Sequence, residues 1–223
     1  MKNDLNIVLN KLTKKLKIIF KGENTGHDFS HLSRVFENAK EIQEKEGGDI
    51  YVVLVSALVH DMHRIIGAKL GRYVEPKDSL DETKKILIEC DVDKDKIEKI
   101  LKIVEFHEDK TICGVSLETQ IVQDADALDA IGEIGLKRTL QFCKVHKIPL
   151  YNKNVPLDCK KYMPNTNPIS TCHYVYRTMI PQVERLHTMT AKEIARTKLK
   201  IMENFLEQNL GEKDWFYKVI SEI

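Results

Sequence analysis

The sequence predicts an all-α protein: a compact helical bundle with a proline-rich excursion and a long C-terminal helix. Apolar residues return at three- and four-residue steps in one segment after another. The segments are bounded by glycine stops and by S/T-x-x-E capping signals, and none reads as a strand. A chain of 223 residues has room for one domain, or one with an appended subdomain, without disulfide or metal staples. We expect a single domain over residues 1–223, with its core at about 20–140 and residues 141–223 packed on it as excursion and C-terminal helices.

Each element has a local reason. Leu5, Val8, Leu9, Leu12, Leu16 and Ile19 form one apolar stripe, the face of an amphipathic first helix. The polar turn "KGENTG" ends it. Leu32, Val35, Phe36, Ala39 and Ile42 mark a second helix from about Ser30 to Glu46, stopped by Gly47-Gly48. Ile50 to about Arg64 is apolar on nearly every side until His60, as a central helix packed all round must be. A Gly-rich charged loop, Gly67 to Lys77, follows it. The box "SLDE" opens a helix from Ser79 to about Cys90, and "DVDKDK" supplies acidic caps for the next, whose Ile97, Ile100, Leu101 and Val104 face inward. Another helix spans Leu117 to about Ile131, with more helix after Gly132–Gly135. Residues 149–170 hold four of the six prolines and read as an irregular excursion. The last helix opens at the T-x-x-E box Thr190–Glu193 and stops at Gly211.

Composition narrows the partners. Thirty-five basic against 34 acidic residues leave +1, so no global field draws polymeric nucleic acid or membranes, and an anionic ligand must be met locally. Five scattered cysteines without a CxxC argue for a reducing compartment and against a structural zinc site. Lysines interrupt the apolar residues of "MKNDLNIVLNKLTKKLKIIF" too often for a signal peptide or a span. A cytoplasmic protein, open to homo-oligomer formation, is the expectation.

Four segments place metal-binding residue types on helices: "HDFSHLSRV", "HDMHR", "EFHED" and "QDADALDAIG". They lie too far apart for a finger or loop site, so any shared centre must be assembled by helices packed side by side. His and Asp without Cys favour a hard or borderline divalent cation. No Walker loop, GxGxxG, GxSxG or HExxH occurs.

The order His31, then His60-Asp61, then an Asp within "ADALDA" resembles the H…HD…D signature of the HD-domain superfamily of metal-dependent phosphohydrolases. The stretches "HDFSH..RV", "GGD", "ALVHD", "QDADALDAIG" and "T.KEIA..K...M..FLEQ" resemble the small bacterial HD nucleotide hydrolases, so the likeness covers most of the chain. It implies an HD-domain bundle holding one divalent ion, manganese ahead of magnesium, cobalt, nickel, iron or zinc. His31, His60, Asp61 and Asp126 are the implied ligands. Asp124 is the rival for the last position; at about 100 degrees per residue it is turned well away from Asp126, whereas Asp129 shares the face of Asp126 and is expected to orient a ligand or the water.

Other positions stay open between two readings. His63 and Arg64 follow the HD doublet where family members often carry an acidic residue, so roles from the synthetase and cyclic-nucleotide branches do not transfer. Arg64, assigned to catalysis with Asp61 and Asp129, either grips a phosphate or forms a surface salt bridge. His63 and Arg34 are candidate substrate contacts. His107 is either a satisfied core histidine or a substrate-side member of the site; "FHE" stands where a two-metal site has "HHE". Asp28 is expected to cap a helix.

The resemblance implies metal-assisted hydrolysis of a nucleotide or small phosphate ester: (deoxy)nucleoside triphosphate to monophosphate and pyrophosphate, or monophosphate to nucleoside. The alternative is a noncatalytic metal or nucleotide sensor or interaction module on the same scaffold. Di-iron oxygenase chemistry needs further His and Asp ligands, for which His107 is the lone candidate.

Overall fold

The computed structural model describes residues 4–23, 26–109, 114–155, 157 and 168–210. In order come α1 (Leu5–Ile19), α2 (Phe29–Glu46), α3 (Ile50–Val59), α4 (Met62–Leu70), a 3-10 turn (Pro76–Ser79), α5 (Leu80–Glu89) and α6 (Lys94–Phe106). Then follow α7 (Leu117–Asp129), α8 (Gly132–Val145), the short α9 (Thr171–Tyr174) with π and 3-10 turns over Val175–Arg185, and α10 (Met189–Leu210). No strand forms among the described residues, and the fold is all-α. The chain divides into two units, Met1–Asp126 with His187–Ala191, and Ala127–Leu186 with Lys192–Ile223, so α7 and α10 each contribute to both.

The first unit is built around α3. Tyr51 through Val59 are all buried, and the helix lies against α1, α2 and α6. Val8, Leu12 and Leu16 of α1 meet it, as do Leu32 of α2 and Ile97, Ile100 and Val104 of α6. Each such side chain contributes about 1.5–3 kcal/mol on full burial, enough together to offset several polar groups at one end of the helix. By length and composition alone Ile50–Leu70 could cross a membrane; 83% of that window is buried inside the protein, which makes it core.

Four boundaries differ from the sequence reading. The helix expected to run through Arg64 is two helices, because the chain turns at His60-Asp61, with Asp61 at φ −93° and ψ 18°. An unbroken helix would aim those two side chains about 100 degrees apart. The expected loop at Gly67 is helix as far as Leu70; a Cβ on Gly67 would stand 2.8 Å from the Arg72 carbonyl oxygen, so the returning backbone needs a glycine there. The turn itself is made by Gly71 in the left-handed region, φ +65°.

The box at Ser79 does not form. A 3-10 turn begins at Pro76, the Ser79 hydroxyl donates back to the Pro76 carbonyl at 2.6 Å, and α5 starts at Leu80. Asp93 precedes α6 without a side-chain cap bond. For α10 the cap is Thr188, whose hydroxyl accepts from the Ala191 N–H at 3.2 Å, while the Thr190 N–H donates to Glu46 at 2.7 Å. The Gly211 stop and much of the excursion lie outside the described residues.

Within the second unit, Gly132 opens α8 at φ +73°, with Lys198 of α10 close enough to crowd any Cβ. Arg138 of α8 pairs with the buried Asp129 at 3.2 Å.

Candidate metal centre

Local structure aims each donor. Asp28 caps α2 by accepting from the His31 N–H at 3.0 Å, which holds His31 in the first turn of that helix. The turn between α3 and α4 presents His60 and Asp61 together. His107 closes α6, and the Gln123 amide of α7 donates to the Phe106 and Asp109 carbonyls at 2.7 and 3.0 Å on either side of it. The Asn38 amide of α2 donates to the Ala125 carbonyl at 3.0 Å, fixing α7 beside Asp126.

Asp61 is the hub. Its Oδ2 lies 2.8 Å from His27 Nδ1, 3.2 Å from His31 Nε2 and 3.6 Å from His60 Nε2. On the other side, Oδ1 lies 3.7 Å from His107 Nε2 and 3.9 Å from His63 Nδ1. The Nε2 atoms of His31 and His60 face each other at 3.2 Å, and Asp126 Oδ1 stands 3.5 and 3.9 Å from them. For metal–ligand bonds of about 2.1 Å, neighbouring ligand atoms sit about 3.0–3.4 Å apart in octahedral or tetrahedral sets. The two imidazoles lie within about half an ångström of such spacing from each other and from each of the two carboxylates.

Protonation favours the same use. His60 Nδ1 donates to the Ala57 carbonyl at 2.8 Å, leaving Nε2 as a lone pair. Burial pushes the His60 pKa down to about 4, against the pull of Asp61 and Asp126, so the ring is neutral at pH 7. Burial opposes the charged form of Asp61, yet His60 and the neighbouring imidazoles of His107, His27 and His31 hold its carboxyl well below the usual range. For His107, too, burial lowers the pKa, and Asp61 more than reverses it. His107 Nδ1 donates to the Val104 carbonyl at 2.7 Å, while its buried Nε2 makes no hydrogen bond, an orphaned atom facing the cluster. This donor set fits a divalent cation held by His31, His60, Asp61 and Asp126.

The remaining candidates fall at different places. Asp124 accepts from the His187 N–H, the Thr188 N–H and the Thr188 hydroxyl at 2.7–3.1 Å, which commits it to the start of α10. Asp129 lies in the second unit against Arg138. Arg64 pairs with Glu108 and stands 3.6 Å from Asp61 Oδ1. Arg34 lies on α2, near enough to Asp28 to help lower its pKa. His63 is buried, 3.4 Å from Glu108 Oε1. Burial resists ionisation of Glu108, but His63 and Arg64 hold its pKa down to about 2.

The sequence reading missed His27 and Glu108. His27 precedes α2 and joins only because the turn before that helix folds toward Asp61; the i, i+4 spacing to His31 was the one available signal. Glu108 was visible only as the acid of "FHE".

The family model described as HD domain matches residues 28–131. The protein YpgQ of Bacillus subtilis (strain 168) is 30% identical over 195 residues, 85% of this chain and 86% of its own. Its crystal structure in complex with ADP superposes with a TM-score of 0.72 over 92% of this chain and 94% of that one, at 24% identity. The Lin1889 protein of Listeria innocua gives a TM-score of 0.68 at 30% identity, covering 94% and 97%. An HD-superfamily hydrolase from Bacillus thuringiensis gives 0.73 at 25% identity, covering 93% and 97%. With the H…HD…D residues gathered around one point in an all-helical fold, the chain belongs to the HD-domain superfamily and has the fold of its hydrolases.

Proposed function

We propose that this protein is a divalent-metal-dependent phosphohydrolase acting on nucleotides or small phosphate esters, with manganese as the working ion. The observation that carries the reading is the convergence of His31, His60, Asp61 and Asp126 from three parts of the sequence, with the two imidazoles 3.2 Å from each other and 3.2–3.9 Å from each carboxylate. A divalent ion held there supplies a water of lowered pKa and a polarised phosphoryl oxygen. His31 and His60 offer neutral nitrogen donors, and Asp61 and Asp126 supply the negative charge that retains a cation. His27 holds one oxygen of Asp61 at 2.8 Å and His107 faces the other at 3.7 Å, which limits how far the carboxylate turns. Arg64, beside Asp61, is placed to balance charge on a phosphate once it loosens from Glu108. His63 and Arg34 remain proposed substrate contacts and Asp129 a proposed positioning residue.

The nucleotide part of the reading draws on YpgQ, whose structure holds ADP. Triphosphates cut to monophosphate and pyrophosphate, or monophosphates cut to nucleosides, are the reactions proposed. A panel of nucleotides and generic phosphate esters, offered with Mn, Mg, Co and Ni, should release phosphate or pyrophosphate only when metal is present. Asp61→Ala should abolish turnover with helix content retained. Undiminished turnover in that variant removes the proposed mechanism, whereas metal and nucleotide binding without turnover under any ion points to a sensor.

A further inference from the structure

A groove of about 450 Å³ begins at His27 and His63, both against Asp61, and runs along the C-terminal half of α4. Its size is that of sites for small organic ligands. Three small residues, Gly67, Ala68 and Gly71, are part of its lining. The left-handed turn at Gly71 and the close approach at Gly67 bring Arg72 and Tyr73 back as the outer wall.

The wall has a definite chemistry. Tyr73 is 60% exposed, yet its hydroxyl donates to Glu108 Oε2 at 2.9 Å and its ring lies 5.9 Å from the Arg64 guanidinium, so the ring is pinned from two sides. Arg64 has its charge matched by Glu108 and Asp61. Arg72 does not: its guanidinium donates to the Tyr73 carbonyl at 3.3 Å, a neutral acceptor, and makes no ion pair among the described residues. The groove's one carboxylate, Glu23, accepts from the His27 N–H at 3.0 Å.

On the far side of Tyr73 lies a second groove of about 420 Å³, lined by Glu75, Glu105, Glu108 and Asp109 against a single Lys77. Tyr73 thus divides a cationic groove from an anionic one. A polyphosphate leaving the donor cluster is repelled from the second and drawn along the first.

We propose that Arg72 is a specificity-determining residue that pairs with a phosphate beyond the one attacked, so that nucleoside di- and triphosphates are held in preference to monophosphates. The planar fork of its guanidinium suits two phosphate oxygens at once. Tyr73 acts as the rigid partition that keeps the chain on the Arg72 side. The assignment rests on the hydrolase reading for the position of the attacked phosphate.

Binding of the four α,β-methylene deoxynucleoside triphosphates and of the matching monophosphates, measured by calorimetry with Mn on the full chain, tests it apart from turnover. The wild type should prefer the triphosphates. Arg72→Gln should weaken their binding roughly tenfold or more and leave the monophosphates unchanged, the loss of one charge-assisted contact. Arg72→Glu should weaken them further, and because the side chain is exposed, a thermal melt should find both variants folded. If one variant fails that check, the other carries the test. No preference in the wild type, or equal losses for both ligand classes, overturns the role of Arg72. Preference for the triphosphate analogues with no hydrolysis of the natural nucleotides under any of the metals sinks the hydrolase reading instead and leaves Arg72 as a polyphosphate-binding residue.

Discussion

Asp124 and Asp126 are two residues apart on one helix, and the structure sets them to different tasks. Asp126 turns its Oδ1 toward His31 and His60, while the fully buried Asp124 is saturated by donors from His187 and Thr188. Asp124→Ala strands those buried donors, each at about 1–3 kcal/mol, so we expect a loss of at least 2 kcal/mol in urea denaturation with manganese content unchanged. Asp126→Ala should do the reverse: stability within about 0.5 kcal/mol of wild type and metal affinity lowered at least tenfold. Metal analysis and denaturation on the same two variants decide the matter, and loss of manganese from the Asp124 variant alone would reverse the assignment. His31, His60 and Asp61 stood out as candidates because they fall in order in one spaced pattern with the Asp of "ADALDA", which a lone His-Asp pair would not have provided. The pairing of Arg64 was not legible, since its partner Glu108 is 44 residues away and no periodicity links them.

At the scale of elements, legibility followed the strength of the local signal. α1, α2 and α6 carry unbroken apolar stripes, and their spans emerged nearly as read. The box "SLDE" failed because Pro76 had already started a 3-10 turn, which turned the Ser79 hydroxyl backward to a carbonyl. The α3–α4 break was hidden because the apolar run gives no hint of the turn that His60 and Asp61 require. A cap that did form yields a test. Asp49 accepts from the Tyr51 and Val52 N–H groups at 3.0 and 3.3 Å and pairs with Lys96 of α6. Asp49→Ala should cost about 1–2 kcal/mol, whereas Asp49→Asn keeps a capping oxygen and should cost less. Partial burial would raise the Asp49 pKa, but Lys96 and the two N–H groups hold it below its ordinary value of 3.8. A carboxyl depressed by folding stabilises the protein above its unfolded value, and that contribution is lost as pH falls through the lower folded value. The Asn variant should therefore lose stability less steeply than wild type in urea titrations from pH 5 to about 3. Parallel acid limbs would show that Asp49 is not linked to folding.

On the scale of the whole molecule, a cation at the cluster acts on folding only through the native state, because no unfolded chain gathers donors from α2, the α3–α4 turn and α7. At a hundredfold excess over its Kd, such an ion adds about 2.7 kcal/mol. For a chain of this size each kcal/mol moves Tm by about 2–4 °C, so a rise of roughly 5–11 °C on adding manganese is expected, reversed by chelator. Asp126→Ala, with affinity lowered at least tenfold, should show no more than about half that rise, which separates the cluster from weak binding to surface carboxylates. Hydrogen exchange adds a spatial criterion. The donors belong to the unit formed by Met1–Asp126 and His187–Ala191, so slowing should concentrate at the start of α2, the turn at His60-Asp61 and the end of α6. Amides of α8 and of α10 beyond Ala191 belong to the other unit and should change least. Uniform slowing over both units would mean that the ion tightens the chain as a whole, and a manganese-independent Tm would mean that these imidazoles and carboxylates hold one another rather than a metal.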